Sequence, residues 1–562
     1  MLAWVARRGS RDPTTIHRVP EHETQVLIVG GSLVGLSTAM LLGHHGIRSL
    51  VVEHHRGTAI HPRAAQVHQR TMEIYREVGI EQVIRTQSDE QFVQDGAVMA
   101  VETLAGKELA YFIANLNEGV RDVSPTERVF ISQTQLEPLL KSRAEALGAT
   151  LRFATEMQSF SQDADGVTAT LTHRDTGEAD TVRARYMVAC DGAHSRVRHA
   201  LGIPMEGRGT FARSATIYFR ADVGPILRGR NLSVIYINNP VQRAFIRVEK
   251  PFTSGFLAIT GLGDPQHPIT DVSAGLDDAK AIELVRNALG VDDLPVTIDD
   301  IMRWNAEADS AATYRRGRVF LAGDSAHVMP PHGGFGGNTG VADAHNLAWK
   351  LALTLTNEAG PALLDSYDIE RRPVGTFTAE QAYSRYVTRT APYLAAQGMQ
   401  PVEPDLNVEL GCGYTSDVIL PDGQPAPLHQ DPRQSRGLPG TRVPHVWCGH
   451  RPLDSARGTA ISTLDLCGRH FVLLIGSDGE RWYDSARQLP TSATRVDVHR
   501  IGSDITAADG DLGDTLGIGA SGASLVRPDG VVAWRSSSSG DNLDCPRVLQ
   551  RALAVAIGRE HV

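Results

Sequence analysis

Residues 30–35, GGSLVG, have the types and nearly the spacing of a phosphate-binding turn. They depart from the dinucleotide pattern G-x-G-x-x-G only at the middle glycine, which is Ser32. In that pattern the glycines permit a tight turn, close approach of the backbone to a pyrophosphate, and close packing of helix on strand. Serine is small and offers a hydroxyl, and the following helix N-terminus presents N–H groups to an anion. A dinucleotide is therefore predicted to bind Gly30, Gly31, Ser32, Val34 and Gly35, with a plain glycine-rich turn as the alternative.

Glu53 occupies the position at which dinucleotide-binding turns of this kind are followed by an acid that binds ribose. It lies 18 residues after Gly35, at the end of the next apolar segment. A carboxylate at this place can accept a hydrogen bond from a ribose 2′-hydroxyl, which a phosphorylated ribose lacks. The acid therefore favours FAD or NAD over NADP as the nucleotide bound at this turn.

A second set of candidate residues lies in segment 318–351, RVFLAGDSAHVMPPHGGFGGNTGVADAHNLAWKL. An acid ends an apolar strand, a Pro-Pro turn and four glycines follow, and a helix is predicted to begin near Gly340. A carboxylate at a strand end can hold a ribityl hydroxyl, and glycines let backbone N–H groups approach a planar, electron-rich ring. The candidates are Asp324, Gly333, Gly334, Gly336 and Gly337, and the alternative is a flexible glycine loop.

A third candidate follows another apolar strand, in VACDGAHSRVRHALG. Asp191 and Gly192 come just after the strand, and Ser195, Arg196 and Arg198 lie on the next turn. A turn and a helix N-cap would account for Asp191 and Ser195. A second nucleotide contact explains the two arginines better, and both interpretations stay open.

These residues need a scaffold of parallel strands, and the N-terminal sequence predicts one. QVLIVG is a buried strand, LSTAMLLGHHG a helix that stops at Gly46, and RSLVVE a second buried strand, which together make a β-α-β unit. From Phe153 a hairpin pattern appears, and segments between Arg208 and Asn305 indicate an inserted antiparallel sheet. A helical stretch is predicted to run to about Gln397. Beyond a Pro- and Gly-rich stretch, apolar segments and a last helix predict a small α/β domain.

The overall composition excludes some classes of function. The chain has 562 residues, enough for two or three domains, and its net charge of −10 argues against a general nucleic-acid binder. The five cysteines form no C-x-x-C pair, so a disulfide framework or zinc site is not expected and a reducing cytoplasm fits. No apolar run approaches the roughly 18 residues of a membrane span. Residues 1–24 are predicted to be an N-terminal tail, with a transit peptide as the alternative.

In their order and spacing along the chain, the three motifs resemble the single-component (class A) FAD-dependent aromatic hydroxylases, whose simplest member is para-hydroxybenzoate hydroxylase. The segment PPHGGFGGNTGVADAHNLAWKLAL is most similar to the corresponding segment of bacterial aromatic-polyketide hydroxylases such as tetracenomycin hydroxylase. The resemblance covers about Gln25 to Gln397. The C-terminal part resembles the thioredoxin-like appendage of the longer members of the family. FAD is therefore the expected dinucleotide.

The resemblance also implies roles for single residues. Glu53 would hold the adenosine ribose, Arg63 would lie by the FAD pyrophosphate, and Gln133 would contact the flavin side of FAD. Asp324 would hold the ribityl chain, and Pro331 would lie near the reacting flavin edge. Gly334, Gly336, Gly337 and Asn338 would cradle the ring. Alternatives are a surface ion pair for Arg63, a solvated helix start for Gln133 and a helix cap for Asn338; no catalytic side chain and no metal ligand is assigned.

The implied fold class is α/β, with a para-hydroxybenzoate-hydroxylase-like FAD-binding fold and an inserted antiparallel substrate sheet. We expect the FAD-binding domain at residues 25–207 and 306–400 and the substrate-binding sheet at 208–305. Residues 421–562 would form a thioredoxin-like domain without redox cysteines. This last domain is expected to serve packing or a homodimer contact.

The implied function is hydroxylation of a polycyclic aromatic polyketide with NADPH or NADH and O₂. In such enzymes the nicotinamide reduces FAD, O₂ then gives a flavin C4a-hydroperoxide, and an electron-rich ring takes its distal oxygen. The alternatives are a Baeyer–Villiger or small-phenol flavin monooxygenase, and a non-catalytic FAD-binding protein. A small-molecule substrate is the expected partner, rather than nucleic acid or a membrane.

Overall fold

The computed structural model describes residues 22–61, 66–263, 269–423, 425–450, 460–489, 494–508, 510–539 and 543–560. Arg63, predicted to lie by a pyrophosphate, falls outside these ranges, as does most of the predicted tail. The last residues of that tail are not separate from the fold, because the first strand begins at His22. None of the described helices has the length and apolarity to cross a membrane.

The strands and helices follow one another along the whole described chain. The strands are β1 (His22–Val29), β2 (Ser49–Val52), β3 (Gln66–Val67), β4 (Ala97–Val101), β5 (Glu108–Ile113), β6 (Val129–Phe130), β7 (Thr150–Arg152), β8 (Thr155–Gln162), β9 (Val167–His173), β10 (Ala179–Ala189), β11 (Met205–Arg220), β12 (Leu232–Asn238), β13 (Gln242–Glu249), β14 (Ser254–Leu262), β15 (Thr297–Ala311), β16 (Arg315–Arg316), β17 (Val319–Leu321), β18 (His327–Val328), β19 (Trp447–His450), β20 (Ile461–Ser462), β21 (Phe471–Ile475), β22 (Val496–Arg500), β23 (Ile505–Ala507), β24 (Ala523–Val526) and β25 (Val532–Ser536). The helices are α1 (Leu33–His44), α2 (Gln69–Glu77), α3 (Glu81–Gln91), α4 (Gln133–Ala146), α5 (Arg196–Ala200), α6 (Gly224–Leu227), α7 (Asp278–Leu289), α8 (Phe335–Leu355), α9 (Ala362–Thr390), α10 (Asp405–Leu410), α11 (Glu480–Arg487), α12 (Leu512–Thr515) and α13 (Cys545–Ala556).

The first sheet explains why three distant motifs can meet. Its main order is β16-β17-β10-β1-β2-β7, and β10, β1, β2 and β17 run parallel. Val26, Leu27 and Ile28 of β1 are fully buried, as expected for a strand covered on both faces. The strands β1, β10 and β17 are neighbours, so their carboxyl ends lie at one edge of the sheet. Ligands of open α/β sheets bind at that edge.

The second sheet has the order β18-β15-β11-β14-β13-β12-β4-β5. Its pairs are antiparallel except that of β12 with β4, which is parallel. The predicted sheet domain at 208–305 did not include β4 and β5, which come from residues 97–113. A parallel neighbour requires a long crossover, so local sequence patterns do not reveal this pairing.

The two faces of the second sheet have different partners. Ile217, Ile235, Ile246 and Leu257 are buried on one face in a core shared with α7. Because side chains alternate along a strand, the neighbouring residues project from the other face. That face carries Tyr218, Tyr236, Phe245 and Phe256.

The C-terminal part contains a sheet of order β22-β21-β24-β25. β21 and β22 are parallel, and the remaining pairs are antiparallel. α11 and α13 pack on this sheet through Trp482 and Leu549. Buried ion pairs join the unit to the rest of the chain, including Arg527 with Glu370 of α9 and Arg442 with Glu73 of α2. Removing one partner of such a pair would leave an uncompensated buried charge.

Candidate functional site

The turn after β1 requires glycine at positions 30 and 35 and has little room for a larger residue at position 31. Gly30 has a φ of 103°, and a Cβ there would lie 2.2 Å from the carbonyl oxygen of Cys190. At Gly35 a Cβ would lie 1.9 Å from the carbonyl oxygen of Gly30, so the start of α1 presses directly on the turn. At Gly31 it would lie 2.8 Å from Cβ of Glu53. The turn is therefore held against both β10 and the end of β2.

Glu53 lies beside this turn, as predicted. One carboxylate oxygen accepts the backbone N–H of Gly31 at 2.7 Å, and the other accepts that of His55 at 2.8 Å. The His54 and His55 rings also approach the second oxygen, but both rings are largely exposed. Glu53 itself is 6% exposed. This geometry fixes the carboxylate at the end of β2, next to the turn that it would serve.

Ser32 is engaged in a way that the sequence did not reveal. Its hydroxyl donates to the buried carboxylate of Glu137 at 2.5 Å, and Nε2 of Gln133 donates to Ser32 Oγ at 2.8 Å. The prediction that the hydroxyl is available to donate to phosphate is therefore wrong for this structure, because its one proton is already used. Glu137 is four residues after Gln133 on α4, so helical spacing could have suggested that the two cooperate.

The second loop begins with a short 3-10 turn, Gly323–Ser325, that carries the exposed Asp324. The turn is held from behind by Asp343 of α8, which accepts the backbone N–H of Gly323 at 3.1 Å and Nε2 of His327 at 2.8 Å. Burial would raise the pKa of Asp343, but Arg371 and His327 hold it below its usual value. Asp343, which sequence reasoning missed, thus anchors the predicted ribityl-binding turn.

The glycines of the loop have unequal roles. Gly334 has a φ of 69° and precedes α8, and its N–H donates to the carbonyl of Pro331 at 3.0 Å. A Cβ at Gly337 would lie 2.7 Å from Leu33, which brings α8 close to the start of α1. At Gly336 a Cβ would meet only Met329, at 3.7 Å, among the described residues. Packing on the described residues therefore does not require a glycine at position 336.

Asn338 contacts the protein rather than facing open space. Its Oδ1 accepts the N–H of His68 at 2.8 Å and the hydroxyl of Thr71 at 2.7 Å. Its Nδ2 donates to the carbonyls of Gln66 at 2.9 Å and Gly334 at 2.7 Å. These four bonds use all the hydrogen-bonding capacity of the side chain and fasten β3 and α2 to α8, and the predicted place of Asn338 beside a ring stays a prediction.

The structure confirms the turn and N-cap interpretation of the third motif, and the nucleotide contact stays a prediction. Asp191 accepts the N–H of Val197 at 3.1 Å, and Ser195 caps α5 through the N–H of Arg198, as the turn interpretation requires. Arg196 pairs with Glu156 at the surface, and Arg198 donates to backbone carbonyls beside the Asp324 turn. The arginines thus already have protein partners. Oδ1 of Asp191, however, is buried without a partner among the described residues.

An aromatic surface faces the second glycine loop. The ring of His332, which follows Pro331, lies 4.9 Å from that of Tyr386, 6.1 Å from Tyr236 and 6.2 Å from Phe245, measured between centroids. Burial, and then the charge of Arg389, lowers the pKa of His332 to about 3, so the imidazole is neutral. Sequence reasoning missed these residues because they come from two strands, a loop and α9. His332, Tyr236 and Tyr386 are buried in this arrangement, and Phe245 is partly exposed.

The two glycine turns form one continuous site that fits FAD. A Cβ added at Gly323 or at Gly340 would lie 2.8 Å or 2.5 Å from the side chain of Val34, so the first turn and the second loop touch. One end offers helix N-terminal N–H groups and Glu53, and the other offers the exposed Asp324 and the space at Gly336. A dinucleotide matches both ends if its adenosine part lies beside Glu53 and a planar ring lies beside Asp324 and Gly336. These features define a flavoprotein of the α/β class.

Comparisons with known proteins agree with this class. A family model described as FAD binding domain matches residues 23–382, and one described as aromatic-ring hydroxylase, C-terminal, matches residues 436–559. The chain is 50% identical over 530 residues to 4-methyl-5-nitrocatechol 5-monooxygenase of Burkholderia sp, covering 92% of this chain and 95% of that one. It is 39% identical over 554 residues to tetracenomycin B2 monooxygenase-dioxygenase of Streptomyces olivaceus, covering 96% and 99%.

A solved structure extends the likeness to three dimensions. The crystal structure of aklavinone-11 hydroxylase with FAD and aklavinone has a TM-score of 0.86 and 33% identity, covering 96% of this chain and 100% of that one. The chain belongs to the family of FAD-dependent aromatic-ring hydroxylases. The predicted family, fold class and flavin cofactor are thereby confirmed, and the protein is an FAD-dependent aromatic monooxygenase.

Proposed function

We propose that this enzyme uses NADPH or NADH and O₂ to hydroxylate a polycyclic aromatic substrate of the polyketide type. The observation that carries the proposal is the aromatic surface formed by Tyr236, Phe245 and Tyr386 around His332, directly beside the glycine loop. Flat aromatic walls next to a flavin site suit a flat aromatic ligand. Relatives whose names include tetracenomycin and aklavinone support the choice of a multi-ring substrate.

We propose the following division of work in the cofactor site. Gly30, Gly31, Gly35 and the start of α1 approach the pyrophosphate, Glu53 the adenosine ribose and Asp324 the ribityl chain. Gln133 and Asp191 add contacts, Pro331 borders the reacting ring edge, and Gly334, Gly336 and Gly337 admit the ring through their backbone. FAD, when bound, supplies the electron transfer and the activation of O₂. The protein orients the ring and keeps water from it.

A one-ring phenol is the second candidate substrate. The observation in its favour is the 50% identity to a monooxygenase named for 4-methyl-5-nitrocatechol, a substituted one-ring catechol. The same aromatic surface could hold a single ring, with fewer contacts. A ring-number panel therefore decides between the two candidates.

The test is substrate-dependent oxidation of NADPH or NADH by the purified holoenzyme. The panel spans aromatic phenols of one to four rings and includes 4-methyl-5-nitrocatechol. The proposal expects tightly coupled oxidation with multi-ring members and one oxygen atom from labelled O₂ in a ring hydroxyl of the product. Coupling with one-ring members alone would select the second candidate. Oxygen inserted into a ring or a carbon–carbon bond would indicate Baeyer–Villiger chemistry, and no stimulation by any member would contradict both.

We also propose the domain division and the surroundings of the protein. The FAD-binding domain is kept at residues 25–207 and 306–400, and the C-terminal domain at 421–562. The sheet domain is kept at 208–305, with β4 and β5 added. The strand order β22-β21-β24-β25, with one parallel pair, supports a thioredoxin-like C-terminal domain. The five free cysteines fit a reducing cytoplasm. A homodimer contact through the C-terminal domain stays a prediction.

A further inference from the structure

A buried carboxylate that none of the proposed roles uses lies beneath the dinucleotide turn. Glu137 is one helical turn after Gln133 on α4, and its side chain is fully enclosed. One of its oxygens accepts from Ser32 Oγ at 2.5 Å and from Gln133 Nε2 at 2.7 Å. The other accepts the backbone N–H of Ala59 at 2.6 Å. Glu137 therefore joins the starts of α1 and α4 to the loop that follows β2.

These bonds determine which atoms of Gln133 and Ser32 remain for a ligand. The Ser32 hydroxyl donates its one hydrogen bond to Glu137, so it can only accept hydrogen bonds from other groups. It accepts one from Gln133 Nε2 at 2.8 Å. The amide nitrogen of Gln133 is directed at Ser32 and Glu137, which assigns the orientation of the amide from its hydrogen-bond network. The carbonyl oxygen Oε1 of Gln133 is then the atom left to accept a bond.

We propose that Glu137 is a positioning residue for FAD, which holds Gln133 so that its Oε1 faces the cofactor and accepts a hydrogen bond from a cofactor hydroxyl. The inference rests on the proposed function, because it takes FAD to be the ligand of the turn. An amide oxygen suits a ribose or ribityl hydroxyl, whereas phosphate oxygens are acceptors and need donors. The backbone N–H groups at the start of α1 remain the donors for the pyrophosphate.

The same arrangement explains how a serine can replace the middle glycine of the fingerprint. Glu137 draws the Ser32 hydroxyl toward α4 through a charge-assisted bond. The backbone at Ser32 is extended, with a φ of −94°, so this position needs no glycine for its conformation. Serine at this place and the acid on α4 are therefore expected to work as a pair.

Only a carboxylate satisfies the donors around this position. Ser32, Gln133 and Ala59 all donate to residue 137 from two sides. In Glu137→Gln the amide must turn its N–H₂ either toward the Ala59 N–H or toward Gln133. The second choice would reverse or displace the Gln133 amide and remove Oε1 from its place.

The test measures FAD binding to apoprotein prepared from the holoenzyme, by quenching of flavin fluorescence, for three chains. We expect Glu137→Gln to raise the Kd for FAD about tenfold or more, as loss of a charge-assisted hydrogen-bond network would. The matched control is Glu73→Gln, another buried glutamate that accepts from Arg442 and Ser124. It should lower the melting temperature but leave the Kd for FAD within about twofold of the wild-type value.

A double-mutant cycle shows whether Glu137 acts through Gln133. Gln133→Leu removes Oε1 and should weaken FAD binding by itself, and adding Glu137→Gln to it should cost little more. The assignment is overturned if Glu137→Gln binds FAD like the wild type, or if the two losses multiply fully. Should Glu137→Gln not fold, unchanged FAD affinity in Gln133→Leu overturns it equally. A wild-type protein that takes up no FAD would instead contradict the proposed function.

Discussion

The two sides of the candidate site differ in the contacts that hold them in place. On the cofactor side, Gly31 is bonded to Glu53, and Asn338 makes four hydrogen bonds within the chain. On the substrate side, aromatic rings pack on one another, and Tyr236, Tyr386 and His332 each take part in a hydrogen bond of 3.2 to 3.4 Å. Nδ1 of His332 is buried there without a partner among the described residues. The cofactor side is thus fixed by hydrogen bonds and close contacts, and the substrate side mainly by shape.

The difference is consistent with the variety of compounds in the names of relatives. Similar chains carry names that include a nitrocatechol, tetracenomycin and aklavinone. Single aromatic side chains on the substrate side can be replaced during evolution, because packing tolerates exchanges of apolar side chains of similar volume. A turn in which a Cβ would lie 1.9 Å from a carbonyl oxygen, as at Gly35, tolerates no such exchange. The two sides are therefore expected to respond differently to mutation.

The largest effect is expected from Gly30→Ala. Its φ of 103° and the contact at 2.2 Å force the backbone to move, so both apoprotein stability and FAD binding should be lost. Gly336→Ala is the matched variant, because its Cβ meets only Met329 at 3.7 Å. It should keep or raise the apoprotein melting temperature, since alanine favours a helix by about 1 kcal/mol, yet lose FAD affinity. Thermal unfolding and FAD titration measure the two effects, and unchanged FAD affinity in Gly336→Ala would remove Gly336 from the flavin site.

Asp324→Ala should follow in size. It removes a charged acceptor worth roughly 1.5–3 kcal/mol, which corresponds to a rise of about 10- to 150-fold in the Kd for FAD. Equilibrium dialysis of the flavin gives this number directly. Asp292→Ala, at an exposed acid in a distant loop, provides the control. Unchanged FAD affinity in the Asp324 variant would exclude it from the site.

Phe245→Ala probes the substrate side. Loss of one aromatic pair, worth about 0.5–1.5 kcal/mol, should raise the KM for an aromatic substrate about 2- to 13-fold. FAD content should not change, because Phe245 packs on Phe256 and His332 rather than on the dinucleotide turn. Steady-state kinetics with the best panel substrate measure the effect. Release of FAD together with the rise in KM would show that the two sides are not separable.

The smallest effect is expected in the C-terminal domain. Burial raises the pKa of Cys448 to about 11 and that of Cys467 to about 12, so neither thiol forms the thiolate that disulfide exchange needs. An insulin-reduction assay should show no turnover. Cys448→Ser with Cys467→Ser should leave monooxygenase rates unchanged. Thiol-dependent turnover would assign the domain a redox role that its cysteines do not indicate.

Local sequence predicted where the residues proposed for the cofactor side lie relative to the strands, because that placement depends on local pattern. Gly30, Glu53 and Asp324 each follow a strand at a spacing that parallel strands impose, so the pattern and the position agree. The side-chain partner of Ser32 was not predicted, because Glu137 is 105 residues away. Asp343 is only 20 residues from Gly323, but its carboxylate reaches the Asp324 turn through the packing of α8, which the sequence pattern does not show.

The substrate side could not be derived in the same way. Phe245 and Tyr236 lie on separate strands, and only the sheet order places them beside His332. The pairing of β12 with β4 adds residues from before the predicted sheet domain. Alternation along a strand shows that one face is apolar, but it does not show which loop covers that face.

The identity of the bound flavin tests the central claim most directly. Purified protein is denatured, and the released cofactor is separated and quantified against FAD, FMN and NAD. The proposed site, with Glu53 at one end and Asp324 at the other, predicts a yellow protein that releases FAD and neither FMN nor NAD. A colourless protein that fails to take up added FAD would contradict the account of both sides of the site.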